Sequence, residues 1–225
     1  MMDVMSDLNP PDVVILANGD PPKGAARVLL DTAKICVACD GAVRVARLLG
    51  REPDFVVGDG DSISTEDSLA LDARFVRVAE QETNDLAKAF RFSCGRFPSA
   101  GRLVILGASG GREDHFIGNI SRLAGFAEEW ARTPGRPVGA ITALVSENGR
   151  FDVVIGERNL SACAGEAVSV FAFLPGTHVS SEGLEWALDG VELDELWKGT
   201  LNRATGERFT LRANRPLVVY RQLRS

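Results

Sequence analysis

The chain reads as an α/β domain followed by an all-β one: an N-terminal parallel sheet with covering helices, then a C-terminal antiparallel β-sandwich. Three observations predict this. Up to about residue 132, short apolar runs alternate with longer amphipathic segments, the pattern of strands buried on both faces by helices. The stretch Arg132-Thr-Pro-Gly-Arg-Pro137 is then dense in breakers. Beyond it helical periodicity disappears, and short strand-like runs are separated by turn signals such as Asn148-Gly149, Pro175-Gly176 and Asp189-Gly190. The expected division is 1–132 and 138–225.

The elements follow in order. Val13–Ala17 predicts a strand and Gly24–Ala33 a helix; Ile35–Cys39 and Ala42–Leu49 repeat the pair. Phe55–Val57 is a short strand. A brief helical stretch follows Thr65, then a strand over Phe75–Val78. Helical spacing returns through Leu86, Ala89 and Phe90 within Asn84–Phe92. Leu103–Leu106 is a strand and His115–Trp130 a long helix. In the second half, strands are expected at Ile141–Val145, Phe151–Ile155, Ala167–Phe173, Leu184–Leu188, Arg208–Leu211 and Leu217–Tyr220.

Composition excludes several classes of function. Twenty-five basic residues against 31 acidic ones leave a net charge of −6, the opposite of the footprint that a nucleic-acid backbone or an anionic membrane demands. The first eleven residues lack a basic stretch and an apolar run, and no apolar run approaches the ~18 residues of a membrane span. Four cysteines in 225 residues make no disulfide framework, so a cytoplasmic protein is the expectation. Cys36 and Cys39 form a C-x-x-C inside a strand. Positions three apart there face opposite ways, and both read as small buried hydrophobes.

Acidic residues collect where ligands bind in open parallel sheets, beyond the carboxyl ends of the strands. Asp40 follows the second strand. Asp59 and Asp61 follow the third, in Gly58-Asp-Gly-Asp-Ser62. Asp85 follows the fourth and Asp114 the fifth. Like charges facing one crevice repel unless a cation neutralises them, and Mg²⁺ commonly bridges such carboxylates to substrate phosphates. Each residue also has a plainer reading: Gly-Asp-Gly-Asp-Ser is good turn chemistry, and Asn84 or Asp114 suits a helix cap. Four independent loops favour the shared site. Between a strand and a helix, Gly107-Ala-Ser-Gly-Gly-Arg112 can cradle phosphate oxygens with backbone N–H groups, Arg112 adding a charge-assisted contact. It lacks the Gly-Lys-Ser/Thr ending of a P-loop.

In order along the chain, these motifs resemble the thiamine pyrophosphokinase family. The likeness is carried by Asp40-Gly41-Ala42, Pro53-Asp54-Phe55-Val56-Val57-Gly58-Asp59-Gly60-Asp61-Ser62, Gln81-x-x-Asn84-Asp85, and Gly107-x-x-Gly110-Gly111-Arg112-x-Asp114-His115 with Asn119. Glu182-Gly183-Leu184-Glu185-Trp186 and Gly199-Thr200-Leu201-Asn202 continue it in the second half. The resemblance implies transfer of a diphosphate from ATP to the hydroxyl of thiamine, with Mg²⁺ and the triphosphate held by Asp59, Asp61 and Asp85. It implies nucleotide contacts from Gly110, Gly111, Arg112 and Asp114, and thiamine contacts from Gln81, Trp186, Thr200 and Asn202. It also implies a homodimer with the active site at the subunit interface, Trp186 reaching in from the partner. Asp85 and Asp40 are alternatives for accepting the hydroxyl proton. This sequence departs from the family with Asn84 for a frequent Thr, Glu185 for a frequent Lys, and Leu201 for a frequent Ser. Rival readings are a diphosphotransferase acting on another alcohol, such as a pterin, and a non-catalytic thiamine or nucleotide sensor.

Overall fold

The computed structural model describes Met5, residues 7–61 and residues 71–223. Ser62 and the helical stretch expected after Thr65 lie outside the described residues. The first half builds strands β1 (Val13–Leu16), β2 (Ile35–Cys39), β3 (Phe55–Gly58), β4 (Phe75–Arg77) and β5 (Arg102–Leu106). Helices α1 (Gly24–Thr32), α2 (Val43–Leu48), α3 (Asp85–Arg96) and α4 (Glu113–Arg132) run between and after them. All five strands are parallel. Residues 13–16 and 103–106 are fully buried, as apolar strands covered on both faces must be.

The strand expected at Ile141–Val145 is present as β6, but it belongs to the first sheet. It pairs in parallel with β5, so the first sheet takes a sixth strand from beyond the breaker segment. Its run Ile-Thr-Ala-Leu-Val is as uninterrupted as those of β1 and β5. The Pro-rich stretch before it is the α4-to-β6 connection of one continuous sheet. There Arg136 donates to the carbonyls of Phe97 (2.6 Å) and Ala100 (2.5 Å).

After a hairpin at Asn148, the direction reverses. Strands β7 (Gly149–Ser161), β8 (Ala167–Phe171), β9 (Val179–Glu182), β10 (Asn202–Arg203) and β11 (Arg208–Gln222) pair antiparallel. The strand order is β10-β8-β11-β7-β6-β5-β1-β2-β3-β4, with β9 also on β11. The two runs expected at Arg208–Leu211 and Leu217–Tyr220 are one strand. Polar residues and Pro216 interrupt the apolar pattern, and the ladder to β7 shifts register between Ala213 and Leu217, where a proline can sit in a strand. One half of β11 pairs with β9 and the other with β8. Val154, Val170, Val179, Phe209, Leu211 and Leu217 form a second core in this half, separate from the larger one around the parallel sheet.

The expected strand at Leu184–Leu188 is absent. Leu184 makes one isolated bridge to Ala204, and the backbone of Trp186 is held by a side chain instead. Asn202 Oδ1 accepts from Trp186 N–H (3.1 Å), and Asn202 Nδ2 donates to the Trp186 carbonyl (2.7 Å).

Candidate active site

In the parallel sheet β1 lies between β2 and β5, so the chain runs outward on one side of β1 and then resumes on the other. The loops after β1 and β5 diverge at that switch point and leave a crevice. They are also tied together there: Gly19 N–H donates to the Gly107 carbonyl (2.6 Å) and Asp20 N–H to that of Ser109 (2.8 Å). The cavity they open, about 420 Å³, is bounded by Asn18 and Gly19 after β1, Asp40 and Gly41 after β2, Asn84 and Asp85 opening α3, and Gly107–Arg112 after β5.

Beside it three carboxylates converge. One oxygen from each of Asp40, Asp59 and Asp85 lies within 4.8 Å of the others. Asp40 is buried; its Oδ1 accepts from Gly41 N–H (2.7 Å) and its Oδ2 from Gly60 N–H (3.2 Å). Glycine is required at position 58, where a Cβ would lie 2.5 Å from the Asp40 carboxyl carbon. Asp59 accepts from Asp61 N–H (3.1 Å), Lys88 Nζ (3.0 Å) and Gln81 Nε2 (3.2 Å). Lys88 also reaches Asp85 Oδ1 (3.1 Å), and its side chain is only 2% exposed. Asp61 is exposed and stands outside the three-carboxylate cluster; its backbone, not its side chain, engages Asp59.

The electrostatics pull these acids apart. Burial, with the neighbouring Asp85 charge, raises the Asp40 carboxyl above its ordinary value. The Asp61 N–H and the Lys88 ammonium hold Asp59 below its own. Burial alone would depress Lys88, but its hydrogen bonds to Asp59 and Asp85 prevail and raise it. Three hard oxygen donors, two directly after β2 and β3 and one opening α3, fit a divalent cation such as Mg²⁺.

The glycine loop supplies the other wall. Gly110 and Gly111 both have left-handed backbone, with φ of 76° and 71°, which glycine adopts without steric cost. A Cβ on Gly110 would also lie 2.0 Å from the Asp20 carboxyl carbon. Arg112 lines the cavity, its guanidinium paired with Asp114 at 2.6 Å. That pair brings the Asp114 carboxyl down to about 2. Asn84 caps α3 by accepting from Ala87 N–H (3.0 Å). Asn119 binds the Ala108 carbonyl (3.1 Å) and accepts from Asn84 (3.4 Å), so it links the glycine loop to the opening of α3.

Gln81 thus joins the carboxylates, while Trp186, Thr200 and Asn202 belong to the β-rich half and line no part of this cavity. Trp186 is 54% exposed. Asn202 is buried; its amide bonds both the N–H and the carbonyl of Trp186, and its Oδ1 also accepts from Arg203 N–H (2.8 Å). Thr200 Oγ1 donates to the Trp197 carbonyl (2.7 Å). Leu201 is exposed with φ of 62°.

Sequence reasoning missed Lys88, whose signal was the i,i+3 spacing from Asp85 on one helix. It also missed Asn18 and Asp20, which follow β1 at the same sheet edge as the other site loops.

Two family models cover most of the chain. The thiamin pyrophosphokinase catalytic domain matches residues 26–133, and the thiamin pyrophosphokinase substrate-binding domain matches residues 149–220. The chain belongs to the thiamin pyrophosphokinase family. It is 28% identical to thiamin pyrophosphokinase 1 of Caenorhabditis elegans over 223 residues, 92% of this chain and 87% of that one. Its fold matches the crystal structure of thiamine pyrophosphokinase from Bacillus subtilis with a TM-score of 0.73 at 20% identity, covering 95% of this chain and 100% of that one. Thiamin pyrophosphokinase from Candida albicans matches with a TM-score of 0.72 at 16% identity, covering 99% and 92%. The family boundary falls within the continuous sheet, β6 lying between the two matched segments. Among the described residues no helix is long and apolar enough to cross a membrane.

Proposed function

We propose that the protein transfers the β,γ-diphosphate of ATP to the hydroxyl of thiamine, giving thiamine diphosphate and AMP. The observation that carries this reading is the convergence of Asp40, Asp59 and Asp85 beside a glycine-lined crevice at the sheet's switch point. In the reaction the thiamine hydroxyl oxygen forms a bond to the β-phosphorus of ATP. The bridging oxygen between the α- and β-phosphorus leaves with AMP, and the hydroxyl proton is released. Such transfers depend on positioning and charge neutralisation more than on covalent assistance.

Asp40, Asp59 and Asp85 would hold Mg²⁺, with Asp61 at the rim of that site. Bound Mg²⁺ would supply charge neutralisation on the phosphates. The N–H groups of the Gly107–Arg112 loop bind phosphate oxygens, and the left-handed glycines at 110 and 111 let the loop approach closely. Arg112 and Asp114 form the outer edge of the nucleotide site. Gln81 faces the acceptor while bonded to Asp59. Its loop is ordered by Glu80, which accepts from the N–H groups of Glu82 (2.8 Å) and Thr83 (3.1 Å). Trp186 presents an exposed aromatic face suited to a cationic thiazolium. It serves the crevice of a partner subunit in a homodimer, with Asn202 fixing its backbone and Thr200 alongside.

An acceptor panel scored by AMP release tests the assignment. Thiamine should support Mg²⁺-dependent AMP formation, and a pterin alcohol should not. AMP release with the pterin and none with thiamine would reassign the acceptor.

A further inference from the structure

Two of the three clustered carboxylates carry a cation supplied by the protein itself. Lys88 Nζ lies 3.0 Å from Asp59 Oδ2 and 3.1 Å from Asp85 Oδ1, and the side chain is 2% exposed. It projects from the buried face of α3, among Leu86, Ala87, Ala89 and Phe90 in sequence. A fixed positive charge on the oxygens that are to receive a divalent ion opposes that ion by Coulomb repulsion. The same charge favours an incoming polyanion.

We propose that Lys88 makes metal binding conditional on the nucleotide. It disfavours a bare divalent cation at Asp59 and Asp85, and admits the cation readily when triphosphate brings compensating negative charge. Lys88 is thereby a positioning residue that couples two ligands, and by linkage each ligand raises the affinity for the other by the same factor. The proposal rests on the reading that this cluster holds a divalent cation.

The test is the affinity for Mn²⁺, read by the electron paramagnetic resonance of free Mn²⁺, with and without a non-hydrolysable ATP analogue. In Lys88→Met and Lys88→Gln, Mn²⁺ should bind the nucleotide-free protein on the order of tenfold more tightly than wild type. The enhancement of Mn²⁺ affinity by the analogue should shrink correspondingly. Lys88→Arg, which keeps the charge, should restore the wild-type enhancement. An unchanged enhancement in Lys88→Met and Lys88→Gln, or weaker Mn²⁺ binding without nucleotide, overturns the proposal while leaving the metal site standing. Failure of wild type to bind Mn²⁺ even with the analogue overturns the metal reading itself, and the proposal with it. If neither uncharged variant folds, the ¹³Cε resonance of Lys88 in wild type decides. It should respond to Mg²⁺ at lower Mg²⁺ concentration when the analogue is present than when it is absent, and the same midpoint in both titrations contradicts the coupling.

Discussion

Asp59 and Asp40 belong to one cluster yet are driven in opposite directions. The Asp61 N–H, Lys88 and Gln81 keep Asp59 ionised, whereas burial and the Asp85 charge resist ionisation of Asp40. Asp59 thus carries its negative charge at the centre of the cluster, and Asp59→Asn should lower turnover by about 100-fold or more. Its unfolding temperature should stay close to wild type, so steady-state kinetics beside thermal melts separates the two effects. Asn202 makes the contrasting case. Asn202→Ala removes both of its hydrogen bonds to the Trp186 backbone, a cost of about 0.5–1.5 kcal/mol for each that chemical denaturation would measure. If Asn202 acts by positioning Trp186, the KM for thiamine should rise while that for ATP stays put. Asp40 and Asp59 were legible in sequence because each directly follows an apolar strand, and Asp85 because it opens a helix behind an Asn cap. Lys88 was not, since a lysine within a helical apolar run reads as solvated until its two acid partners are seen around it.

At the scale of elements, the parallel strands announced themselves through runs too apolar to have a wet face. Leu184–Leu188 misled for a physical reason: it alternates like a strand, but an Asn202 amide takes the place of a neighbouring ladder. β11 misled in the other direction, because a register shift carries one strand across polar residues and a proline that look like an end. The acids at the opposite edge of the sheet have structural work. Asp12 accepts from the N–H groups of Gly101 and Arg102 (both 2.9 Å), joining β1 to the start of β5, and Asp54 accepts from Cys36 N–H (2.8 Å). Burial alone would raise the Asp12 carboxyl, but Lys34 and the two backbone donors prevail and hold it below its ordinary 3.8. A carboxyl depressed on folding contributes stability that is fully present above its unfolded value and is lost as pH falls through the folded one. Stability should thus decline as pH drops below about 4, and Asp12→Asn should flatten that part of the curve. Denaturant midpoints measured from pH 5 to pH 2 would show it, and parallel curves for the two proteins would contradict it.

Across the whole molecule, the two cores meet along β7, and a buried charge network spans that seam. Arg150 is fully buried and pairs with Asp7 near the amino terminus and with Asp152 (2.5 Å). Arg221 on β11 binds Glu166 (2.8 Å) and stands 3.7 Å from Asp152. Breaking one member of such a set leaves charge buried and poorly compensated, so Arg150→Met should cost roughly 3–5 kcal/mol. Urea unfolding checks this, and an unchanged midpoint would show that the network does not tie the halves together. The sequence suggested a boundary near residues 132–137 because breakers cluster there. It could not show that the next strand returns to the first sheet, since parallel pairing between distant segments leaves no local mark.

All of this turns on three carboxylates, from three separate loops at one edge of the sheet, sharing one divalent ion with the triphosphate. The most direct measurement is the anomalous difference map of a crystal soaked with Mn²⁺ and a non-hydrolysable ATP analogue. A peak is expected at about 2.1 Å from oxygens of Asp40, Asp59 and Asp85, bridged to the analogue's phosphates beside Gly110 and Gly111. A peak elsewhere on the molecule, with those three side chains turned away from the phosphates, would contradict it.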